Sequence, residues 1–227
     1  MAEILYEDNH LLIVNKLPGE IVQGDKTGDE PLVETLKSMI KERDCKPGNV
    51  FLGVVHRLDR PVGGAVIFAK TSKALSRLNE MLRKGEIHKT YWALSRGIPS
   101  PPEATLTHYI KTVEKSNKSY AYANPKDGAK EARLNYRLLN RGNTFSLIEV
   151  ELLTGRKHQI RVQLSAIGCP IRGDLKYGDR RSNPDGSISL LARKIEFVHP
   201  VSHQPITVVA PIPNENVWQE IAKNINK

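Results

Sequence analysis

Residues 54–64, Val-Val-His-Arg-Leu-Asp-Arg-Pro-Val-Gly-Gly, carry an apolar run directly into a carboxylate that lies between two arginines. Two neighbouring guanidiniums favour the ionised form of a carboxylate, so Asp59 is expected to stay charged and available as a nucleophile or a base. The alternative is a surface ion-pair cluster, because groupings of arginine and aspartate are common on protein surfaces. This stretch alone does not separate chemistry from structure.

Strand signals outnumber helix signals along the chain. Short apolar segments bounded by turn residues predict strands at 11–14, 50–55, 65–69, 91–94, 132–136, 145–153 and 206–209. Helical periodicity predicts helices within 32–40, 75–82 (after a cap at Thr71 or Ser72), 160–167 (stopped by Gly168) and 217–225. Many strands with separated helices indicate an α+β fold rather than a doubly wound parallel sheet.

The composition is basic, with 34 Lys and Arg against 25 Asp and Glu and a formal net charge of +9. This excess suits a polyanionic partner, although many basic proteins simply carry solvated lysines. Basic residues also cluster near the motifs described below. The two clusters are Arg83, Lys84, Lys89 and Arg96, and Arg172, Lys176, Arg180 and Arg181.

The apolar content, 39% of 227 residues, is enough for a proper core, and we expect one domain spanning residues 1–227. No apolar run approaches the roughly 20 residues needed to cross a bilayer, and the first residues lack a signal-peptide pattern. We therefore expect a cytoplasmic protein without membrane contact. Cys45 and Cys169 are far apart and have no metal-ligand spacing, so both are expected to be reduced thiols.

Four segments carry a resemblance to a known family. They are residues 4–19 with Val-Asn-Lys-Leu-Pro-Gly, 56–71 with His-Arg-Leu-Asp-Arg-Pro, 89–97 with Lys-Thr-Tyr-Trp-Ala-Leu, and 154–174 with Thr-Gly-Arg-Lys-His-Gln-Ile-Arg. In this order they resemble the pseudouridine synthases named after ribosomal large-subunit synthase A. Together with the late strand near residues 190–200, the resemblance covers most of the chain.

The resemblance implies a mixed, mainly antiparallel sheet in two halves, with flanking helices and a central active-site cleft. Nothing at the amino terminus resembles the small RNA-binding domain that many members carry, so target selection is expected to come from the catalytic domain or a partner. One departure is Gly63, where the family commonly has Ser. Because glycine adopts positive φ without steric cost, we expect this departure to change the turn rather than the chemistry.

The resemblance also implies an activity, the isomerisation of specific uridines to pseudouridine in ribosomal RNA, transfer RNA or both. The enzyme must extrude the nucleotide from its stack at a cost of a few kcal/mol and hold a base that is temporarily detached. Asp59 is the implied catalytic residue. It attacks C1′ of the ribose or C6 of the uracil, or it acts as the base that starts elimination, and the sequence does not choose among these.

Further roles follow from the same resemblance. Arg161 is expected to pair with the catalytic Asp, and a bidentate guanidinium would fix both the orientation and the charge of that carboxylate. Tyr91 is expected to stack on the uracil and to help remove the C5 proton, against the alternative that it only packs in the core. The expected RNA-binding residues are His56, Arg57, Arg156, His158 and Gln159.

Uridine isomerisation is redox-neutral, so no cofactor is expected, and the seven histidines show no metal-ligand spacing. A hydrolase is disfavoured because the chain has no nucleophile elbow. The expected partner is RNA, and a monomer is the simplest oligomeric state for a domain that receives a large folded RNA. The main alternative is a noncatalytic RNA-binding or ribosome-assembly protein with the same fold.

Overall fold

The computed structural model of the protein describes residues 2–25, 27–223 and 225. The secondary structure within these residues consists mainly of strands. In chain order the elements are β1 (Glu3–Glu7), β2 (Leu11–Lys16), α1 (Leu32–Arg43), β3 (Gly53–Val54), β4 (Gly63–Ala69), α2 (Ser72–Lys84), β5 (His88–Ser95), β6 (Glu103–Val113), β7 (Lys118–Tyr122), β8 (Lys130–Arg141), β9 (Ser146–Leu152), α3 (Gln159–Ala166), β10 (Leu190–Val198), β11 (Pro205–Val209) and α4 (Asn216–Ala222).

The chain divides into two compact units. The first contains the residues up to Ile87 together with Ala192–Pro211, and the second contains His88–Leu191 together with the residues from Ile212 onward. The division at residues 191 and 192 falls near the start of β10.

In the first unit the strand order is β1-β2-β4-β10, with β3 also pairing with β4 and β11 with β10. The pairs β1/β2, β2/β4, β3/β4 and β10/β11 are antiparallel. All seven residues of β4 are buried, which explains its continuous apolar sequence. α2 begins where the Thr71 hydroxyl accepts a hydrogen bond from the Ala74 amide, and it ends at Gly85 with φ of +74°.

In the second unit the strand order is β5-β9-β8-β6-β7, and every neighbouring pair is antiparallel. Side chains alternate across this sheet. Ala132, Leu134 and Tyr136 of β8 are buried, whereas Arg133 and Arg137 face solvent. α3 packs against β6 and β7 on the buried face.

The predicted α+β fold with a mainly antiparallel sheet is confirmed. Each predicted strand overlaps an observed one, but the segment 50–55 forms only the two-residue β3, and β1, β6 and β7 were not predicted. The predicted terminal helix over 217–225 forms as α4 and ends at Ala222, while residue 224 lies outside the described residues. Cys45 and Cys169 are free thiols. No helix in the described part of the chain is long and apolar enough to cross a membrane.

The expectation that Gly63 uses a positive φ is wrong, because the left-handed conformation belongs to its neighbour Gly64, with φ of +115°. A Cβ at Gly64 would lie 2.4 Å from the carbonyl oxygen of Ala192, so the position requires glycine for both its conformation and its close contact. A Cβ at Gly63 would meet Pro18 Cδ at 3.2 Å, a tighter contact than most. Gly63 therefore begins a strand rather than forming a special turn.

Glu7 joins three parts of the first unit. Its carboxylate accepts two hydrogen bonds from Arg43 at the end of α1, both at 2.7 Å, and one from Lys70 after β4, also at 2.7 Å. The hydrogen bonds from Arg43, and then those from Lys70, lower the pKa of Glu7 from 4.5 to about 2 despite partial burial. The carboxylate is 18% exposed, so solvent screens these ion pairs only in part.

We expect the Glu7→Gln substitution to lower the free energy of unfolding by about 1–2 kcal/mol near neutral pH. Since the pKa in the folded state lies below the unfolded value, the stabilisation is complete above the unfolded pKa of 4.5 and is lost as the pH falls toward about 2. Urea unfolding at a series of pH values measures this. The difference between wild type and variant should vanish across that window, whereas Glu34→Gln on the exposed face of α1 should change little at any pH.

Candidate active site

Asp59 lies on a tight turn in the first unit, between β3 and β4. Its backbone carbonyl accepts a hydrogen bond from the Val62 amide at 3.0 Å, which closes the turn around Arg60 and Pro61. The Asp59 side chain is half-buried. The short, closed turn after a buried segment fixes the backbone of this carboxylate residue. A catalytic group requires such a fixed position.

Lys16, the last residue of β2, holds this turn from below. Its Nζ donates hydrogen bonds to the carbonyl oxygens of Leu17 at 3.0 Å, Arg60 at 3.1 Å and Val62 at 2.7 Å. The residue is fully buried. Burial lowers the pKa of Lys16 from 10.5 to about 8, against the opposing attraction of Glu20 and Asp59, so the ammonium form still predominates near neutral pH.

One feature of the sequence does point to Lys16. A lysine closes the otherwise apolar run Leu-Leu-Ile-Val-Asn-Lys, and a buried lysine requires partners. Two of its three partners are carbonyl groups 44 and 46 residues further along the chain, so only the structure reveals them.

The other residues of this turn differ in their surroundings. The Nε2 atom of His56 accepts a hydrogen bond from the Ile67 amide in β4 at 3.2 Å, so the imidazole fixes the turn to the sheet. Arg57 is exposed, and among the described residues no hydrogen bond or ion pair involves its side chain. Arg60 contacts the exposed carboxylate of Asp29 at 2.7 Å. The predicted RNA contacts of His56 and Arg57 remain predictions.

Tyr91 lies within β5 in the second unit, directly opposite Val150 of β9. Only 6% of the residue is exposed. This burial is the arrangement expected for core packing, and it does not conflict with a ring that forms one wall of a base pocket. The stacking role of Tyr91 therefore stays a prediction.

Arg161 lies in the first turns of α3 and forms a bidentate ion pair with Asp174. The Arg161 Nε lies 2.7 Å from one carboxylate oxygen of Asp174, and Nη2 lies 2.9 Å from the other. Both residues are buried, at 6% and 1% exposed. This geometry fixes the plane of the guanidinium. Asp174 belongs to the motif segment 154–174, but no sequence pattern assigns it this role.

Tyr177 supports the face of the same guanidinium. The Cζ of Arg161 lies 5.0 Å from the centre of the Tyr177 ring. The Tyr177 hydroxyl accepts a hydrogen bond from the Ser119 amide at 2.8 Å and lies 2.7 Å from His158 Nδ1. Burial raises the pKa of Tyr177, so this hydroxyl stays protonated near neutral pH.

The predicted RNA-binding residues near α3 are partly occupied by protein contacts. His158 is buried against Tyr177 and has a left-handed backbone with φ of +56°. The Gln159 Oε1 accepts hydrogen bonds from Thr154 Oγ1 at 2.8 Å and the Arg156 amide at 2.9 Å. Arg156 itself is exposed and donates from Nε to the Glu131 carbonyl. Their RNA contacts stay predictions, and Arg156 has the most accessible side chain of the three.

The seven predicted residues in these two motif segments therefore form two groups. His56, Arg57 and Asp59 share one turn of the first unit, while Arg156, His158, Gln159 and Arg161 lie just before or at the start of α3 in the second. Within residues 2–25, 27–223 and 225, no cluster of three or more His, Cys, Asp or Glu side chains is arranged to hold a metal ion.

Comparison with known proteins identifies relatives across most of the chain. Residues 10–166 match the family described as RNA pseudouridylate synthase. An uncharacterized RNA pseudouridine synthase of Synechocystis sp. is 34% identical over 215 residues, which cover 93% of this chain and 65% of that protein. Ribosomal large subunit pseudouridine synthase C of Buchnera aphidicola is 33% identical over 230 residues, which cover 98% of this chain and 70% of that protein. The chain thus spans about two thirds of the length of these relatives.

Among solved structures, human RNA pseudouridylate synthase domain containing 4 has a similar fold. Its TM-score is 0.79 at 23% sequence identity, and the alignment covers 99% of this chain and 93% of that one. At this identity the similarity concerns the fold alone.

We expect Lys16→Met to lower the free energy of unfolding by about 2–4 kcal/mol, because it keeps the packing volume but removes the donor for three carbonyl groups. Urea denaturation followed by circular dichroism measures the change. Lys84→Met, which removes an exposed lysine from the end of α2, is the matched control and should change stability by less than about 0.5 kcal/mol. A Lys16→Met protein as stable as wild type would show that the buried ammonium does not hold the turn.

Proposed function

The chain belongs to the RNA pseudouridylate synthase family, and from this membership we propose that it isomerises uridine to pseudouridine in RNA. One observation carries the proposal. The family match over residues 10–166 includes Asp59, Tyr91 and Arg161, the three residues expected to carry the chemistry. We further propose that the two compact units serve a single catalytic domain over residues 1–227, and that the enzyme acts as a cytoplasmic monomer.

In the proposed reaction the bond between uracil N1 and ribose C1′ breaks, the base rotates, and a bond forms between C5 and C1′. The C5 proton leaves and N1 gains a proton, so the product is an isomer and no oxidant or reductant takes part. Asp59 attacks C1′ or C6, or removes a proton to start elimination. The closed turn bound by Lys16 supports this role because it holds the backbone of Asp59 in one place.

Arg161 is proposed to orient the Asp59 carboxylate and keep it ionised. The preorganised position of Arg161 supports this proposal. Asp174 forms hydrogen bonds with the edge of the guanidinium, and Tyr177 contacts its face. Such a group loses little side-chain freedom when it acts, which makes its electrostatic contribution larger.

Tyr91 is proposed to stack on the detached uracil and to help remove the C5 proton. A ring held by a central strand presents a rigid face, and stacking on an aromatic ring contributes on the order of 1–3 kcal/mol per base. The exposed Arg57 is proposed to fill the gap that the extruded uridine leaves in the RNA stack, and Arg156 to contact phosphate. His56, His158 and Gln159 shape the backbone around these groups.

The proposed substrate is ribosomal large-subunit RNA, transfer RNA or both. The name of the Buchnera relative refers to the large ribosomal subunit, and the net charge of +9 suits either polyanion. A noncatalytic RNA-binding protein would gain from the same charge. Such a protein would gain nothing from the buried ion pair of Arg161 or from the closed turn that carries Asp59, because binding to phosphate needs exposed cations.

We expect Asp59→Asn to reduce uridine isomerisation by about a thousandfold or more, because the substitution removes the nucleophile or base while keeping the side-chain shape. Tritium release from ribosomal and transfer RNA transcripts labelled at uridine C5 measures the reaction. Asp29→Asn is the matched control, since it removes an exposed carboxylate that contacts Arg60 of the same turn. Normal turnover by Asp59→Asn would exclude the proposed role, and no release by wild type from either transcript would favour the noncatalytic alternative.

Comparison of Tyr91→Phe with Tyr91→Ala separates the two proposed functions of this ring. If stacking dominates, Phe should retain most of the turnover while Ala loses about tenfold to a hundredfold. If proton removal at C5 dominates, both variants should fail equally, since both lack the hydroxyl. Tyr136→Phe, which removes another buried hydroxyl from the same sheet, controls for stability effects. Full activity in Tyr91→Ala would contradict both functions.

A further inference from the structure

One face of the β6–β7 hairpin in the second unit is rich in tyrosine and lysine. The antiparallel register places Tyr109 opposite Tyr122, Lys111 opposite Tyr120, and Val113 opposite Lys118. Because side chains alternate along a strand, these six residues project from the same side of the hairpin. We call this surface the hairpin face. Its members are Tyr109, Lys111, Val113, Lys118, Tyr120 and Tyr122.

The opposite side of the hairpin belongs to the core. Ile110 and Ala121 pack there with Val162 of α3. The hairpin face has no such cover within the described chain, since Tyr120 and Val113 are each 41% exposed. β7 also pairs with β6 alone and is the outermost strand in this unit. Tyr120 is thus exposed to solvent, with Tyr109 and Tyr122 half-buried on the same side, and packing against α3 supports the backbone beneath them.

Lysines are held directly over these rings. The Nζ of Lys118 lies 5.7 Å from the centre of the Tyr120 ring, and the Nζ of Lys126 lies 4.1 Å from the centre of the Tyr122 ring. Lys111 reaches the loop after β7, where it donates to the Asp127 carbonyl at 3.0 Å. Stacking surfaces and cations therefore alternate along the hairpin. This combination is typical of sheets that bind single-stranded RNA, in which rings stack on bases and cations contact the backbone.

A chain of contacts joins the hairpin face to the candidate active site within the same unit. Lys118 Nζ lies 5.6 Å from the centre of the Tyr177 ring, and Arg161 Cζ lies 5.0 Å from the same ring. The Tyr177 hydroxyl also accepts its hydrogen bond from Ser119, the residue between Lys118 and Tyr120. The proposed catalytic arginine and the start of the hairpin face therefore share Tyr177 as a common support.

We propose that the hairpin face binds a single-stranded segment of the RNA substrate next to the target uridine. Bases of this segment stack on Tyr120 and Tyr122, and Lys111, Lys118 and Lys126 contact its phosphates. The position beside the target uridine rests on the proposed function, whereas RNA binding by the face itself does not. The acidic residue at the hairpin tip, Glu114, lies 3.7 Å from Lys157, which reduces its repulsion of phosphate.

The experiment measures RNA binding separately from turnover. A fluorescein-labelled single-stranded RNA of mixed sequence is titrated with the wild-type chain and with the Asp59→Asn chain, each with and without Tyr120→Ala. We expect Tyr120→Ala to raise the Kd about fivefold to a hundredfold in both backgrounds. The Asp59→Asn chain tests binding without turnover. The effect of Tyr120→Ala on the Kd can therefore be interpreted even if the proposed reaction does not occur.

Further variants distinguish stacking from general damage. Tyr120→Leu keeps an apolar side chain and should bind as weakly as Tyr120→Ala, whereas Tyr120→Trp should bind as well as wild type. Val198→Ala, which alters an exposed apolar residue of the first unit, should leave the Kd unchanged. Wild-type affinity in Tyr120→Ala would overturn the proposal, and so would full affinity in Tyr120→Leu.

The salt dependence tests the lysines. Each phosphate contact on a single strand contributes a slope of about −0.7 in a plot of log affinity against log salt, so Lys118→Met should reduce the slope by about that amount. Lys37→Met on α1, a residue outside both basic clusters, should not change the slope. Competition by an unlabelled single-stranded RNA should exceed competition by a duplex of the same sequence, and a duplex that competes equally would contradict a stacking surface.

Discussion

The buried ammonium of Lys16 is the constraint on which the carboxylate turn depends. Removing such a charge from water costs several kcal/mol unless dipoles replace the lost hydration. Here three carbonyl oxygens do so, and two of them, from Arg60 and Val62, belong to the turn that carries Asp59. Moving the turn would therefore also leave a buried charge without hydrogen-bond acceptors. This coupling holds the backbone of Asp59 more rigidly than packing alone would.

The second unit solves a similar problem with a different chemistry. Arg161 is also a buried cation, but its compensation is the carboxylate of Asp174 and the face of Tyr177 rather than carbonyl groups. Carbonyl dipoles suit the compact ammonium, whereas a planar guanidinium fits a bidentate carboxylate and an aromatic ring. In both units protein groups hold a buried cation in place before any substrate binds. Preorganisation of this kind reduces the reorganisation that a reaction would otherwise need.

The sequence predicted those parts of the fold in which burial produces a recognisable local pattern of apolar residues. β2 and β4 were predicted because buried strands have nearly continuous apolar sequences, and β9 because apolar residues still dominate it despite two glutamates. β6 and β7 were missed because one of their sides faces solvent, so threonines, lysines and tyrosines interrupt the apolar signal. The candidate residues could be named from motifs, but the partners of Lys16 and Arg161 could not. Lys16 binds carbonyl groups 44 and 46 residues away, and Asp174 lies 13 residues from Arg161, beyond the end of α3, so local periodicity contains no information about either pairing.

The residues of the motifs also divide by what they contact, and this division bears on how RNA is selected. His158 and Gln159 resemble ligand-binding residues in sequence, yet both form hydrogen bonds with protein groups that shape the start of α3. Arg57 and Arg156 keep exposed side chains. If buried motif residues mainly fix the backbone, then the residues that carry the common chemistry of the family lie in the core. Discrimination among RNAs must then use exposed surfaces. The hairpin face satisfies that requirement, because Tyr120 is exposed while the other side of the hairpin packs against α3.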